Sequence, residues 1–400
     1  MVFLSMKTPS SCSPHSTVLA HLAKHPWGLR APSLALLAAL ILALIGREDV
    51  RLTKLAAQLP GKALQSSKVK QLHRFFKNIR ISEDVLARFV LSFADPKERL
   101  WLVIDRTNWR LGKTEINILL VAVILNGQAL PLMWTLLPHG GSSSSAIRNA
   151  LLERVLLVLP AKRIAGLLGD REFIGKKWFR FLNKATVAPC IRLKANTKVG
   201  GMPVWALFKG IPTGEVRWWY RPLMVYGVPL RVCAVRDTHG HLLYVATLEH
   251  GQHALEAYSR RWTIECLFKF WKGSGFDLEA THLTHPDRLS TLLALVTLTS
   301  VWAWRVGAAE HERAPIPVLA HGRLALSIVR YGLNTVNAAL INLLWTPFET
   351  LSIRQFLACA GKLSPTELDF GHSGLRAWLE ALKVRCSLNQ ELPSARRSVG

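Results

Sequence analysis

The stretch LWLVIDRTNW at residues 100–109, with INILLVAVILNGQALPLMWTLL at residues 116–137, decides the fold. Leu100 to Ile104 is a short apolar run that ends at Asp105. Ile116 to Leu125 and Leu130 to Leu137 are two further β-rich runs with Asn126-Gly127 between them. Asn-Gly flanked by apolar runs is a strong hairpin signal. Towards the C-terminus, His139-Gly140-Gly141 and four serines (142–145) precede a helical pattern at Ala146 to Leu159. A strand follows at Ile164 to Leu168, ending near Asp170, then a helix at Lys176 to Lys184 and a strand at Cys190 to Leu193. Three strands, helix, strand, helix, strand predicts an α/β layer on a mixed sheet.

Between Lys194 and Leu248 the helical period disappears. Short runs such as Val216 to Tyr220, Leu230 to Val235 and Leu242 to Leu248, punctuated by Gly and Pro, read as a β insertion. It is basic (Lys198, Lys209, Arg217, Arg221, Arg231) and aromatic (Trp205, Trp218, Trp219). Helical periodicity returns near Ala254 and dominates to the end.

Towards the N-terminus, Arg51 to Arg80 holds eight basic residues and no acids: Arg51, Lys54, Lys62, Lys68, Lys70, Arg74, Lys77 and Arg80. Leu52, Leu55 and Leu59, then Val69, Leu72 and Phe76, recur at helical spacing on either side of Pro60-Gly61. Two short amphipathic helices joined by a turn are expected, with their basic faces suited to phosphates. The first thirty residues are poorly periodic and read as partly disordered.

Across 400 residues, 51 Lys and Arg face 26 Asp and Glu, a formal charge of +25 with 50% hydrophobic residues. That composition excludes wholesale disorder and points to a polyanionic partner, nucleic acid first. Cys12, Cys190, Cys233, Cys266, Cys359 and Cys386 are scattered without a C-x-x-C pair, which suggests neither structural zinc nor a disulfide framework and suits a reducing cytosol. Leu34 to Ile45 is too short for a bilayer, which takes about 18 to 20 residues. Leu289 to Trp304 is uncharged but carries Ser290, Thr291, Thr297, Thr299 and Ser300. Both runs read as buried core helices, and no membrane partner is expected. No signal-peptide pattern opens the chain.

With acids scarce, two aspartates at strand ends stand out: Asp105, followed by Arg106, and Asp170, followed by Arg171. Strand ends display chemistry because the sheet fixes the backbone while the side chain reaches outward. A third carboxylate lies in Tyr258 to Lys272, YSRRWTIECLFKFWK. On one ideal helix Arg261, Glu265 and Lys272 fall at roughly 300°, 340° and 320° from Tyr258, a stripe about 60° wide. Ala257, Ile264, Leu267 and Trp271 fall at roughly 180° to 260°, a compact apolar face beside it. One acid among bases suits a phosphate-gripping surface. Three carboxylates without a Cys/His cluster suit a hard cation such as Mg²⁺, and two such ions can activate an attacking oxygen and stabilise a leaving one.

The spacing Tyr258-x2-Arg261-x3-Glu265-x6-Lys272 resembles the Y-R-E-K signature of bacterial insertion-sequence-four type DDE transposases. Asp105 in Val-Ile-Asp-Arg-Thr-Asn-Trp and Asp170 in Gly-Asp-Arg-Glu-Phe resemble that family's two aspartate motifs. The resemblance spans about Leu52 to Tyr331. It implies an RNase H-like core with a β insertion before the last acidic helix. By the same resemblance Asp105, Asp170 and Glu265 form a triad for two Mg²⁺ ions, with Mn²⁺ as a substitute, and Tyr258, Arg261 and Lys272 hold phosphates at a transposon end. The implied activity is cut-and-paste transposition at terminal inverted repeats, often through a DNA hairpin, by a homodimeric synaptic complex in the bacterial cytoplasm, at the nucleoid. A hairpin needs a base taken out of the stack, and Trp218 or Trp219 is the expected receiver. Arg106 and Arg171 would contact DNA or pair with the site's carboxylates.

The expected organisation is an N-terminal helical DNA-binding region (1–95, with Lys68, Lys70 and Arg74 as contacts), the first part of the core (96–194), the β insertion (195–250), the acidic helix (251–285) and a C-terminal helical region (286–400). The rival reading is a domesticated DNA-binding or regulatory protein of the same fold without catalysis.

Overall fold

The computed structural model describes residues 13–345, apart from 238–239, 249–250, 321 and 323. The expected C-terminal helical region over 346–400 lies outside the described residues.

Five helices precede the sheet: α1 (Pro14–Leu22), α2 (Ala31–Arg47), α3 (Leu52–Gln58), α4 (Gln65–Asn78) and α5 (Glu83–Leu91). The expected disorder near the N-terminus does not hold from Ser13 onward. The Ser13 hydroxyl accepts from Ser16 N–H and caps α1, Val18 and Leu22 are buried, and buried Trp27 donates its indole N–H to the Leu22 carbonyl at 2.8 Å. The pair of helices expected between Leu52 and Arg80 is α3 and α4. Leu72, Phe75 and Phe76 turn inward, and Lys70, Arg74 and Lys77 face solvent.

The core begins with β1 (Leu100–Leu111), β2 (Thr114–Leu125) and β3 (Gln128–Leu136), an antiparallel meander. Asn126 and Gly127 form its second turn with φ of 46° and 72°, the left-handed pair that a two-residue hairpin turn requires. Then come α6 (Ser145–Val158), β4 (Ile164–Gly169), α7 (Lys176–Lys184) and β5 (Pro189–Leu193). β1 pairs parallel with β4, and β4 parallel with β5, giving the order β3-β2-β1-β4-β5. That order, with its mixed directions, is the RNase H-like arrangement.

The insertion holds β6 (Lys198–Val199), β7 (Met202–Pro203), α8 (Val204–Leu207), β8 (Val216–Trp218), β9 (Leu223–Val225), β10 (Val228–Arg236) and β11 (Leu242–Thr247). β11 pairs antiparallel with β5, so core and insertion share one sheet of eleven strands. α9 (Gly251–Ser259), α10 (Trp262–Lys269) and a π-helical segment, Phe270–Ser274, return the chain to the core, where α10 packs on β1 and β3. α6 packs against β2 and β3.

α11 (Pro286–Arg313) runs through the centre, with side chains from Thr291 to Ala308 buried. Two of its buried hydroxyls bond within the core: Thr299 and Ser300 donate to Leu295 and Val296 carbonyls, and Ser300 also accepts the Trp271 indole N–H at 3.0 Å. α12 (Ile328–Trp345) crosses α11 at Gly307 and Gly332. A Cβ on Gly307 would lie 1.9 Å from the Ile328 carbonyl oxygen, so only glycine permits this approach.

Candidate active site

Strand register brings the two aspartates together. Ile104 pairs with Gly169 and Gly169 with Ile191, so the next residue on each strand lines up as Asp105, Asp170 and Arg192. Asp105 is not at the end of β1, as the apolar run suggested. β1 continues to Leu111 along β2, and Asp105 instead marks the end of the parallel pairing with β4. Thr107 and Trp109 carry the buried alternation past the polar interruption.

Asp105 is 19% exposed; its Oδ1 accepts the Arg106 backbone N–H at 2.8 Å, and its Oδ2 lies 3.6 Å from Arg261 Nη1. Burial pushes the Asp105 carboxyl up to about 6, with the charges of Asp170 and Glu265 adding to the rise, while the Arg106 N–H and Arg261 oppose it. Asp170 Oδ1 lies 3.6 Å from Arg192 Nη1 and is buried with no hydrogen-bond partner. Glu265 is bonded to Arg261 Nη2.

The Tyr258 to Lys272 segment is not the single ideal helix that its spacing suggested. It breaks between α9 and α10, where Arg260 and Arg261 amides donate to Ala257 and Tyr258 carbonyls three residues back, and it widens into a π-helix before Lys272. The break lets Arg261 turn inward. Its guanidinium stacks 5.7 Å from the centre of the Tyr258 ring and joins Asp105 to Glu265. Burial works against that charge, but Tyr258, Glu265 and Asp105 hold the Arg261 pKa above the ordinary arginine value. Tyr258 is itself buried, and burial raises its hydroxyl's pKa. Lys272 Nζ donates to the Asn108 carbonyl of β1 at 2.8 Å and pairs with Glu279 at 2.8 Å, 5.8 Å from the centre of the Trp109 ring.

Asp105, Asp170, Glu265, Tyr258 and Arg261 are thus one electrostatic cluster, and Lys272 joins it through β1. The three nucleic-acid candidates of α4 lie elsewhere, on a helix packed against α3 and α11. Lys70 and Arg74 are exposed there, whereas Lys68 is half-buried and its ammonium donates to the Leu59 carbonyl just past α3. In the insertion Trp218 is 55% exposed, and Trp219 is partly buried against the core. Sequence reasoning missed Arg192, Glu172, Asn117 and Glu279. Arg192 was findable as the charged residue of β5, but its meeting with Asp170 needs the register.

Three carboxylates with an orphaned buried oxygen on Asp170 match the donors a divalent cation takes. Among the described residues, no three carboxylate, imidazole or thiolate groups are gathered closely enough to hold an ion as they stand. Arg261 occupies the space between Asp105 and Glu265 and supplies the positive charge there.

A family model described as a transposase DDE domain matches residues 96–302. The chain belongs to this transposase DDE family. Family members act on DNA and typically use divalent metal ions, in keeping with the carboxylate cluster. Among solved structures, a cryo-EM structure of a piggyBac transposase synaptic complex with hairpin DNA is similar at 11% identity and a TM-score of 0.41, covering 95% of this chain and 84% of that one. No curated protein matches the DDE transposase chain.

Proposed function

We propose that this DDE transposase is of the insertion-sequence-four type and carries out cut-and-paste transposition with Mg²⁺ held by Asp105, Asp170 and Glu265. The observation that carries the reading is the Arg261 contact with both Asp105 and Glu265, which sets the Tyr258–Arg261–Glu265 part of the motif against the aspartate pair. Two divalent ions, when bound, would supply an activated water or 3′-hydroxyl and stabilise the leaving oxygen.

The chain's own residues supply position and charge. The β1–β4 ladder ends one residue before the two aspartates and so brings their backbones to neighbouring positions, and α10 brings Glu265 over β1. Arg261 and Lys272 are neutralised internally by Glu265 and Glu279, and both become phosphate donors when DNA phosphates replace those carboxylates. The exposed α4 bases would grip a terminal inverted repeat, making residues 1–95 the end-binding region. Trp218, with its exposed ring, suits a base displaced in a hairpin better than the more buried Trp219. Two chains would pair two ends in the bacterial cytoplasm.

The test is a supercoiled plasmid carrying the element's ends. Glu265→Gln should abolish Mg²⁺-dependent end cleavage and joining while retaining end binding. Cleavage at the unaltered rate would overturn the triad.

A further inference from the structure

β4 ends at Gly169, the last residue paired with both β1 and β5. Asp170 therefore lies beyond the ladders, in a turn closed by the Phe173 amide and the Asp170 carbonyl at 2.8 Å. Asp105 is held along β2 as well as by β1's own continuation. Something other than the sheet has to hold the Asp170 turn against β1, because a chain just past a strand end retains soft backbone torsions.

That tie is present on the opposite face of β1 from Asp105. Side chains alternate along a strand, so Arg106 points away from Asp105. Arg106 Nε lies 3.0 Å from Glu172 Oε1, and its Nη2 lies 3.3 Å from Glu172 Oε2, a two-pronged contact to the Asp170 turn. Its remaining nitrogen, Nη1, donates to Asn117 Oδ1 on β2 at 3.1 Å. Asn117, almost fully buried, donates onward to the His139 and Gly141 carbonyls at 2.8 and 3.0 Å. These hydrogen bonds tie together four segments: β1, the Asp170 turn, β2 and the 139–141 loop. Arg148 of α6, which donates to Ser143 and the Ile174 carbonyl, also faces Glu172 with its charge.

We propose that Arg106 and Glu172 are positioning residues whose paired side chains set the separation of the Asp105 and Asp170 carboxylates. Neither side chain touches the site's carboxylates; only the Arg106 backbone N–H meets Asp105, and side-chain substitution leaves that bond in place. They act through the backbone of the Asp170 turn, and a planar guanidinium spanning two carboxylate oxygens fixes orientation as well as distance. The inference rests on the metal-site reading above, because the separation matters only if the two aspartates share ions.

The experiment uses the full-length chain and Mn²⁺ alone, with bound ion followed by electron paramagnetic resonance. Glu172→Gln keeps the shape and removes the charge, and Arg106→Lys keeps the charge and removes the fork. Each should weaken Mn²⁺ binding by about 10- to 100-fold, the range seen for partners that orient metal ligands. Binding of end DNA in EDTA should be unchanged, because the Arg106 guanidinium is already taken up by Glu172 and Asn117. The exchanged pair Arg106→Glu with Glu172→Arg should recover most of the lost affinity, which a purely folding role would not produce. Asp105→Asn separates the two levels. If it binds Mn²⁺ as the unaltered chain does, the metal-site reading fails and this inference fails with it. If Asp105→Asn loses the ion while Glu172→Gln and Arg106→Lys keep full affinity, the metal site stands and the positioning role is overturned. Should either single variant prove unstable, the exchanged pair decides: recovery supports the proposal, and unrestored Mn²⁺ affinity in a folded exchanged chain overturns it.

Discussion

Arg261 reaches Asp105 and Glu265 with two nitrogens of one guanidinium, so a single protein cation neutralises two of the three acids. A metal ion entering this site competes with that cation, and the same arginine is then released to meet phosphate. Metal and DNA should therefore bind with positive coupling. The check is Mn²⁺ affinity with and without a short duplex of the transposon end. Tighter binding with the duplex is expected, and Arg261→Gln should shrink that difference.

The Asp105 carboxyl gives a pH-dependent stability with a defined sign. Its value rises from 3.8 to about 6 on folding, so between those pH values the folded chain holds more protons than the unfolded chain. Stability from this group is therefore highest below about pH 4 and falls as the pH climbs towards 6. Asp105→Asn removes the penalty. In EDTA it should stabilise the chain at pH 7 by up to about 3 kcal/mol, with little effect near pH 4. Urea unfolding of both chains at the two pH values measures the difference.

Lys68 and its neighbours on α4 separate structure from binding. Lys68→Ala should cost about 1 kcal/mol, because its ammonium satisfies the Leu59 carbonyl after α3. Lys70→Ala and Arg74→Ala should leave unfolding unchanged, while each lowers the salt slope of end binding by about 1. Urea unfolding reads the stability effects, and fluorescence anisotropy across a salt series reads the binding slope.

The crossing of α11 and α12 is a packing point with no room for a side chain. Gly332→Ala would put a Cβ 1.8 Å from the Ala303 carbonyl oxygen and should cost about 3 kcal/mol as the helices part. Chemical denaturation measures it, with Gly273→Ala, where a Cβ meets nothing within 4 Å, as the comparison.

Trp218 and Trp219 should diverge in the same way. Trp219→Ala removes a partly buried ring and should cost about 1 to 2 kcal/mol, whereas Trp218→Ala should stay within about 0.5 kcal/mol of the unaltered chain. Only the Trp218 change should reduce hairpin formation at a cleaved end, read on a denaturing gel.

What could be read in advance was what depends on local chemistry. Asn126-Gly127 announced its hairpin because few other residues tolerate two successive positive φ angles. The continuous apolar, β-rich runs announced the core strands for an equally local reason, since both faces of these strands are buried. What could not be read depends on partners far along the chain. Arg106 and Glu172 are 66 positions apart, and no spacing rule links them. Asp105 looked like a strand end because the apolar run stops there, although its polar successors are paired to β2. The break before Arg261 escaped notice because a helical wheel assumes an unbroken axis, and here tertiary packing turned one arginine towards two acids. Lys68 looked like its basic neighbours, and only its meeting with Leu59 sets it apart.

The pairing of β11 with β5 has a bearing on how this protein can change. A module hung on two loops can be exchanged or lost with little harm to its host. Here removal of residues 198–247 would strip the β5 edge and leave a row of unpaired amides and carbonyls open to other chains. The insertion is thus structurally part of the core sheet, and chimaeras that swap it must carry a replacement strand in register with Cys190 to Leu193 or face self-association.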